Sequence, residues 1–249
     1  MRFKGAVVLV TGGTRGIGQQ AARDFVSEGA SVSILGRDST AIAKLGRDVG
    51  EISFVQCDLR RAEQCEQAIR QVLEAHGRLD VLVNNAGVIF RNRTVEQTTE
   101  EEWDTTFGVN VRGAYLMSKY AIGSLRNSGG NIVNVSSYVG LVGFAGAAAY
   151  AASKAALVNL TRTMALDHAG EGVRVNCVCP GSVDTEMIRA AWRSHGDPAE
   201  AERLWKAKHP LGRIAKPDEV SRAILFLASD EASFITGAAL PVDGGITAG

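Results

Sequence analysis

Strand-like and helix-like segments alternate along this chain from one end to the other, and that alternation constrains the fold more than any single residue does. Short apolar, β-branched runs fall at residues 6–11, 31–35, 53–56, 81–84, 131–135, 173–179 and 239–242. Between them lie stretches of helical spacing at 17–28, 39–45, 62–76, 100–126, 147–168 and 217–229. Buried strands separated by helices imply a parallel sheet covered on both faces. The expectation is an α/β fold: one doubly wound domain over residues 1–249 with seven parallel strands. Gly29 and Gly77 stand where the first and third helices should stop. Ser39 is a plausible N-cap for the second. The long stretch at 100–126 is expected to bend near Gly108 or Gly113. Residues 186–212 break the alternation with a polar, aromatic insertion after the sixth strand. A long segment at that place is more often functional than connecting, so it is assigned to substrate binding.

Composition narrows the class. Of 249 residues, 45% are hydrophobic and 22% charged, enough to bury a core without disulfides. Formal net charge is zero, which offers no broad basic field to nucleic acid or an anionic membrane. No apolar run approaches the roughly 20 residues of a membrane span. Met1 leads straight into the first strand, leaving no room for a signal peptide. Cys177 and Cys179 are expected on opposite faces of one strand, which suits neither a shared metal nor a disulfide. Together with Cys57 and Cys65 they are read as unpaired thiols of a reducing cytoplasm. His76, His168, His195 and His209 form no metal-ligand cluster and are read as surface or capping residues. No metal is expected. His195 and His209 fall within the insertion, where a substrate contact is the lesser alternative.

The run Thr11-Gly-Gly-Thr-Arg-Gly-Ile-Gly18 follows the first strand and opens the first helix. Glycine lets backbone approach a pyrophosphate, and a helix N-terminus offers it free N–H groups. At the end of the second strand stands Leu35-Gly36-Arg37-Asp38. Arg37 can grip a ribose 2′-phosphate, and Arg15 in the glycine loop is a second cation for it. This pair favours NADP(H). Asp38 has the spacing of the acid that holds a 2′-hydroxyl, so NAD(H) stays the alternative. Further along, Tyr150-Ala-Ala-Ser-Lys154 places a phenol and an ammonium one helical turn apart. A nearby cation favours the phenolate, so a lowered Tyr150 pKa is expected.

Over essentially its whole length the chain resembles the compact, single-domain type of the short-chain dehydrogenase/reductase family. The likeness rests on the loop at 11–18, Asp58 after the third strand, Asn84-Asn85-Ala86-Gly87, Asn110, Ser137, Tyr150 with Lys154, and Pro180-Gly181. It implies a Rossmann fold whose cofactor lies along Gly12, Thr14, Arg15, Gly16, Ile17, Gly18 and Arg37. Asp58 would accept from the adenine amine, with Leu59 adding backbone contacts. Asn85, Ala86 and Gly87 would run beside the cofactor. Pro180, Gly181, Val183 and Thr185 would hold the carboxamide. In catalysis the likeness implies Tyr150 as proton donor and Lys154 as its tuner and ribose ligand. Ser137 would polarise the substrate oxygen, and Asn110 would hold a water linking Lys154 to solvent.

The same resemblance extends to 3-oxoacyl-(acyl-carrier-protein) reductases and to sugar and secondary-alcohol dehydrogenases. It implies reduction of a 3-oxoacyl thioester first, with an NAD-dependent sugar or secondary-alcohol dehydrogenase as the alternative. A nucleotide-binding sensor that has lost catalysis is the remote one. A small-molecule substrate and a homotetramer follow as expectations. The pocket is expected from 88–93, 139–144 and 186–212, together with Tyr138, and to include Leu141, Phe144, Met187, Ile188, Trp192 and Trp205. Arg91 and Arg93 could meet an anionic substrate, but the solvated reading is preferred for both.

Overall fold

Seven strands form one parallel sheet in the computed structural model, which describes residues 1–38, 52–194 and 196–249. They are β1 Val7–Thr11, β2 Ser31–Gly36, β3 Ile52–Gln56, β4 Val81–Asn84, β5 Asn131–Val135, β6 Arg174–Pro180 and β7 Ala239–Val242. The spatial order is β3-β2-β1-β4-β5-β6-β7, and every adjacent pair is parallel. The order runs outward in opposite directions from the β1–β4 pair. A crevice opens at such a switch point, beyond the carboxyl ends of the strands. The helix expected at 39–45, its cap Ser39, and His195 lie outside the described residues.

The helices described are α1 Gly16–Ser27, α2 Ala62–His76, α3 Glu100–Phe107, α4 Ala114–Ser128, α5 Ala148–His168, α6 Glu186–Arg193, α7 Pro198–Ala207 and α8 Pro217–Ala228. Strand periodicity explains how they divide. Val8 and Val10 of β1 point into one apolar layer, with Phe25 of α1 and Ile224 of α8. Val7 and Leu9 point into the other, with Ile69 of α2, Leu125 of α4 and Met164 of α5. Alternate residues of a strand face alternate sides, so both faces of β1 are apolar and both are covered.

The same periodicity corrects one expectation. Cys177 and Cys179 are two apart in β6 and therefore share a face; their Sγ atoms lie 3.8 Å apart. They remain free thiols, as do Cys57 and Cys65, and all four are buried.

The bend expected at 100–126 is a π-helical segment, Gly108–Gly113, between α3 and α4. Wide turns of this kind occur often at functional sites. Gly113 is required there, because a Cβ would stand 2.9 Å from that of Leu59. The start of α3 is fixed by a capping box. Thr99 Oγ1 accepts from the Glu102 N–H at 3.1 Å, and the Glu102 carboxylate accepts from the Thr99 N–H at 3.2 Å. The insertion folds mainly into α6 and α7. Asp197 caps α7 by accepting from Ala199 and Glu200 N–H at 2.9 and 3.2 Å, with Pro198 at its first position. Among the described residues no helix is long and apolar enough to cross a membrane, and no three His, Cys, Asp or Glu side chains gather as for a metal.

Candidate active site

A cleft of about 760 Å³ opens at the carboxyl ends of β1, β2, β4, β5 and β6. The turn after β1 forms one wall. Its backbone needs glycine at two points, Gly12 with φ of +64° and Gly16 with φ of +57°. Gly13 packs so closely that a Cβ would fall 2.4 Å from a methyl of Ile34. No side chain caps the start of α1 and no acid occupies its first turn. Gly16 and Ile17 line the cleft there, so unpaired N–H groups stand ready for an anion.

Thr11 ties this loop to the turn after β4. Its Oγ1 accepts from the N–H groups of Asn85 and Ala86 at 2.9 and 3.0 Å. Asn85 Nδ2 returns bonds to the carbonyls of Thr11 and Gly12 at 2.9 and 3.2 Å. Asn84 faces the interior instead, donating to Asn134 Oδ1 at 2.9 Å and Ser118 Oγ at 3.1 Å.

Nearly all residues expected at the cofactor line this cleft: Gly12, Thr14, Arg15, Gly16, Ile17, Arg37, Asp58, Leu59, Asn85, Ala86, Gly87, Pro180, Gly181, Val183 and Thr185. Gly18 does not; it lies beneath the loop, where a Cβ would meet Asn85 Nδ2 at 2.3 Å and the Gly12 carbonyl at 2.6 Å. Arg15 and Arg37 are both exposed at the end of the cleft that Asp38 also lines. Asp58 is held below the usual carboxylate range by Arg60, whose backbone and guanidinium donate to its two oxygens at 2.8–3.2 Å.

Ser137, Tyr150 and Lys154 meet at the other end of the cleft. Ser137 lies two residues beyond β5, and α5 carries the other two. The Ser137 hydroxyl accepts from the Val139 N–H at 3.4 Å and stands near enough to the Tyr150 phenol to favour its ionised form. Lys154 Nζ lies 5.6 Å from the Tyr150 ring centre and donates to the Val135 carbonyl at 2.8 Å. Burial pushes the Lys154 ammonium down to about 8, and the nearby Cys179 and Cys177 pull it back. The expected lowering of Tyr150 is not found. Burial pushes this phenol up, and the groups that oppose it are Arg91 and Ser137 rather than Lys154. Lys154 is aimed at β5, so in this structure its charge is spent mainly on a backbone carbonyl.

Asn110 stands behind the cleft on the π segment. Its Oδ1 accepts from Val88 N–H at 2.8 Å, and its Nδ2 donates to Val88 O and Ser153 Oγ, each at 3.0 Å. It therefore pins the segment leaving β4 to the residue before Lys154.

Lysine burial makes a prediction. A lysine with a lowered folded pKa binds fewer protons than in the unfolded chain, so stability rises with pH between the two values. Below about 8 its penalty is constant; it is relieved as pH climbs toward 10.5, for a total of about 3 kcal/mol. Tyr150, raised, acts in the opposite sense only above its ordinary value of 10.0. Urea unfolding without added nucleotide, from pH 7 to 10, should show wild type gaining stability relative to Lys154→Met. Parallel curves would contradict the burial argument.

The pocket expectation holds for Tyr138, Phe144, Met187, Ile188 and Trp205, which line the cleft with Val88 and Ile89. Leu141 instead packs beside Val158 under the sheet, and Trp192 does not reach the cleft. Arg93 is exposed and paired with Glu102, as a solvated arginine should be. Arg91 is not solvated; it is half-buried and lines the cleft. His209 is a capping residue rather than a surface one, and it does not line the cleft. It is buried, its Nε2 accepts from the Ser182 N–H at 3.0 Å, and its Nδ1 bonds the Trp205 carbonyl at 3.0 Å. It thus clamps the end of α7 to the chain leaving β6. A Cβ at Gly181 would stand 2.8 Å from His209 Nε2, so the glycine is required by this clamp as well.

A family profile described as enoyl-(acyl carrier protein) reductase matches residues 12–247. The meso-2,3-butanediol dehydrogenase of Serratia marcescens is 44% identical, over 100% of this chain and 97% of that one. The 3-oxoacyl-(acyl-carrier-protein) reductase of Thermotoga maritima is 37% identical, over 99% of both chains. The ligand-free structure of Thermoplasma acidophilum aldohexose dehydrogenase superposes with a TM-score of 0.92 at 37% identity, covering 99% of this chain and 96% of that one.

Proposed function

We propose a specific reaction for this chain, which belongs to the short-chain dehydrogenase/reductase family: NADP(H)-linked interconversion of a carbonyl compound and its secondary alcohol, with Tyr150 carrying the proton. Membership makes the chain an oxidoreductase of CH–OH groups that uses a nicotinamide dinucleotide. The carrying observation is that Ser137, Tyr150 and Lys154 share one cleft with the glycine loop and the uncapped start of α1.

A nicotinamide held in this cleft would supply the hydride in reduction and accept it in oxidation. Tyr150 gives its phenolic proton to the carbonyl oxygen in reduction and removes it in oxidation. Ser137 donates to the same oxygen as negative charge develops there. Lys154, whose Nζ is held by the Val135 carbonyl, would reach the cofactor ribose with its remaining donors. Asn110 keeps the turn after β4 registered against α5, and so keeps Gly87 beside Lys154; a Cβ at Gly87 would lie 3.4 Å from both Asn110 Oδ1 and Lys154 Nζ.

Arg15 and Arg37 support NADP over NAD. Both line the adenosine end of the cleft; among the described residues neither forms a salt bridge, and Arg37 lies close enough to Asp58 to help hold that carboxyl low. A charge-assisted bond to a 2′-phosphate contributes roughly 1.5–3 kcal/mol, about 10- to 150-fold in affinity. The likeness to the Thermotoga reductase supports a 3-oxoacyl thioester as substrate. The higher identity to the butanediol dehydrogenase, with the aldohexose dehydrogenase structure, supports a small secondary alcohol or sugar. A homotetramer is the proposed assembly; Leu166 on α5 and Phe234 before β7 are apolar side chains exposed at 83% and 104%.

Initial rates with NADPH and NADH should be measured on an acyl thioester, an aldohexose and acetoin. NADPH is expected to exceed NADH by roughly tenfold or more in kcat/KM, and Arg37→Ala should erase that margin. A preference for NADH that Arg37→Ala leaves alone would transfer the nucleotide choice to Asp38.

A further inference from the structure

We infer that the substrate carries an oxyanion, in the simplest case a carboxylate, and that Arg91 binds it inside the cleft. The inference deepens the dehydrogenase reading and rests on it for the reaction, though not for the binding. Arg91 follows β4 and lines the cleft together with Tyr138, Phe144 and Tyr150. Its guanidinium carbon sits 5.1 Å from the ring centre of Trp205, so its face is covered by the insertion. It is half-buried, yet no carboxylate or carbonyl pairs with it among the described residues.

That combination sets Arg91 apart from the other described arginines. Arg93, two residues on, pairs with Glu102 at the surface. Arg174, also half-buried, donates to the carbonyls of Leu227 and Ser229 at 2.8 and 3.1 Å. A guanidinium has five N–H donors and cannot be neutralised near physiological pH. Taking it out of water with those donors unpaired costs free energy unless a ligand supplies the acceptors. The neighbouring acidic groups are the phenols of Tyr138 and Tyr150, both neutral over this range. Glu186, the carboxylate lining the cleft on the insertion side, is tied to Arg193. Lys208 lies 5.0 Å from the same Trp205 ring and 5.8 Å from that of Phe144, adding a second cation at the rim. Among the described residues the substrate end of the cleft is therefore positive and lacks a counter-ion, whereas Asp38 and Asp58 line the nucleotide end.

The test compares matched acids and esters: acetoacetate, levulinate and 4-oxocyclohexanecarboxylate, each beside its methyl ester, reduced with NADPH. Wild type should favour at least one acid over its ester by roughly 10- to 100-fold in kcat/KM. Arg91→Met should bring that ratio close to one, and Arg91→Lys should keep part of it. A ratio near one in wild type, or an Arg91→Met variant that slows acid and ester alike, would overturn the inference. A second arm needs no turnover. Calorimetric titration of the cofactor-loaded enzyme with cyclohexanecarboxylate and with cyclohexanecarboxamide should show the acid binding at least tenfold tighter, and Arg91→Met should remove the difference. Equal or absent binding of the acid overturns the inference. Arg91-dependent binding of the acid, with no ketone or alcohol of either panel turned over, would support it and count against the dehydrogenase reading instead.

Discussion

Tyr150→Phe is expected to lower kcat by 10²–10⁴-fold while leaving cofactor affinity nearly unchanged. The substitution removes one oxygen and keeps the ring, which is half-buried between α5 and the cleft, so the packing survives. What disappears is the proton donor beside Ser137. At about 1.4 kcal/mol per tenfold, the loss amounts to roughly 3–6 kcal/mol of transition-state stabilisation. Ser137→Ala should cost less, because it removes a donor to the oxygen and leaves the proton source in place. Direction matters for pH. Reduction needs the protonated phenol and should be flat through neutrality and fall only at high pH. Oxidation needs the phenolate and should rise with pH, since burial holds the phenol protonated. Single-turnover rates with NADPH, paired with a fluorescence titration of the nucleotide, separate the two effects. If Tyr150→Phe turned over within tenfold of wild type, the proton would have to come from another group.

The strands were legible because β-branched, apolar runs between helical stretches leave few alternatives, and observed ends differ from the expected ones by about a residue. The glycine loop was legible because each of its chemical demands is local. Other features depend on partners distant in sequence. Arg91 reads as a solvated arginine until Trp205 of the insertion is laid across it. His209 reads as a surface histidine until the end of β6 supplies the Ser182 N–H. Lys154 reads as a partner of the phenol one turn away, yet the carbonyl of Val135 on the neighbouring strand takes its ammonium. Gly108 and Gly113 announce a disturbance in the long helix, but nothing in their spacing says that the turn widens to a π segment and delivers Asn110 to Val88. In each instance the missing information is tertiary: which element covers a polar group, and what it offers in return.

Gly18→Ala is expected to weaken nucleotide binding by at least tenfold and to destabilise the fold, although alanine is the better helix former. Gly18 lies in the first turn of α1 with an ordinary negative φ, so the change relieves backbone entropy by about 1 kcal/mol. Against this stands the new methyl, 2.3 Å from Asn85 Nδ2 and 2.6 Å from the Gly12 carbonyl. Neither neighbour yields cheaply. The first is fixed by two bonds to the glycine loop, and the second is backbone. Overpacking of this kind costs roughly 1–3 kcal/mol, so the steric term outweighs the helical gain. The relief available is to lift α1 away from the turn after β4, which moves the N–H groups that should face the pyrophosphate. Gly123→Ala is the control. It sits exposed in α4 with nothing near its would-be Cβ, and should stabilise the chain by roughly 0.5–1 kcal/mol without touching nucleotide affinity. Thermal melts and calorimetric titration of both variants decide the matter. A Gly18→Ala protein that binds NADPH like wild type would show that the loop tolerates the methyl, and that the close packing of α1 beneath it does not set the phosphate site.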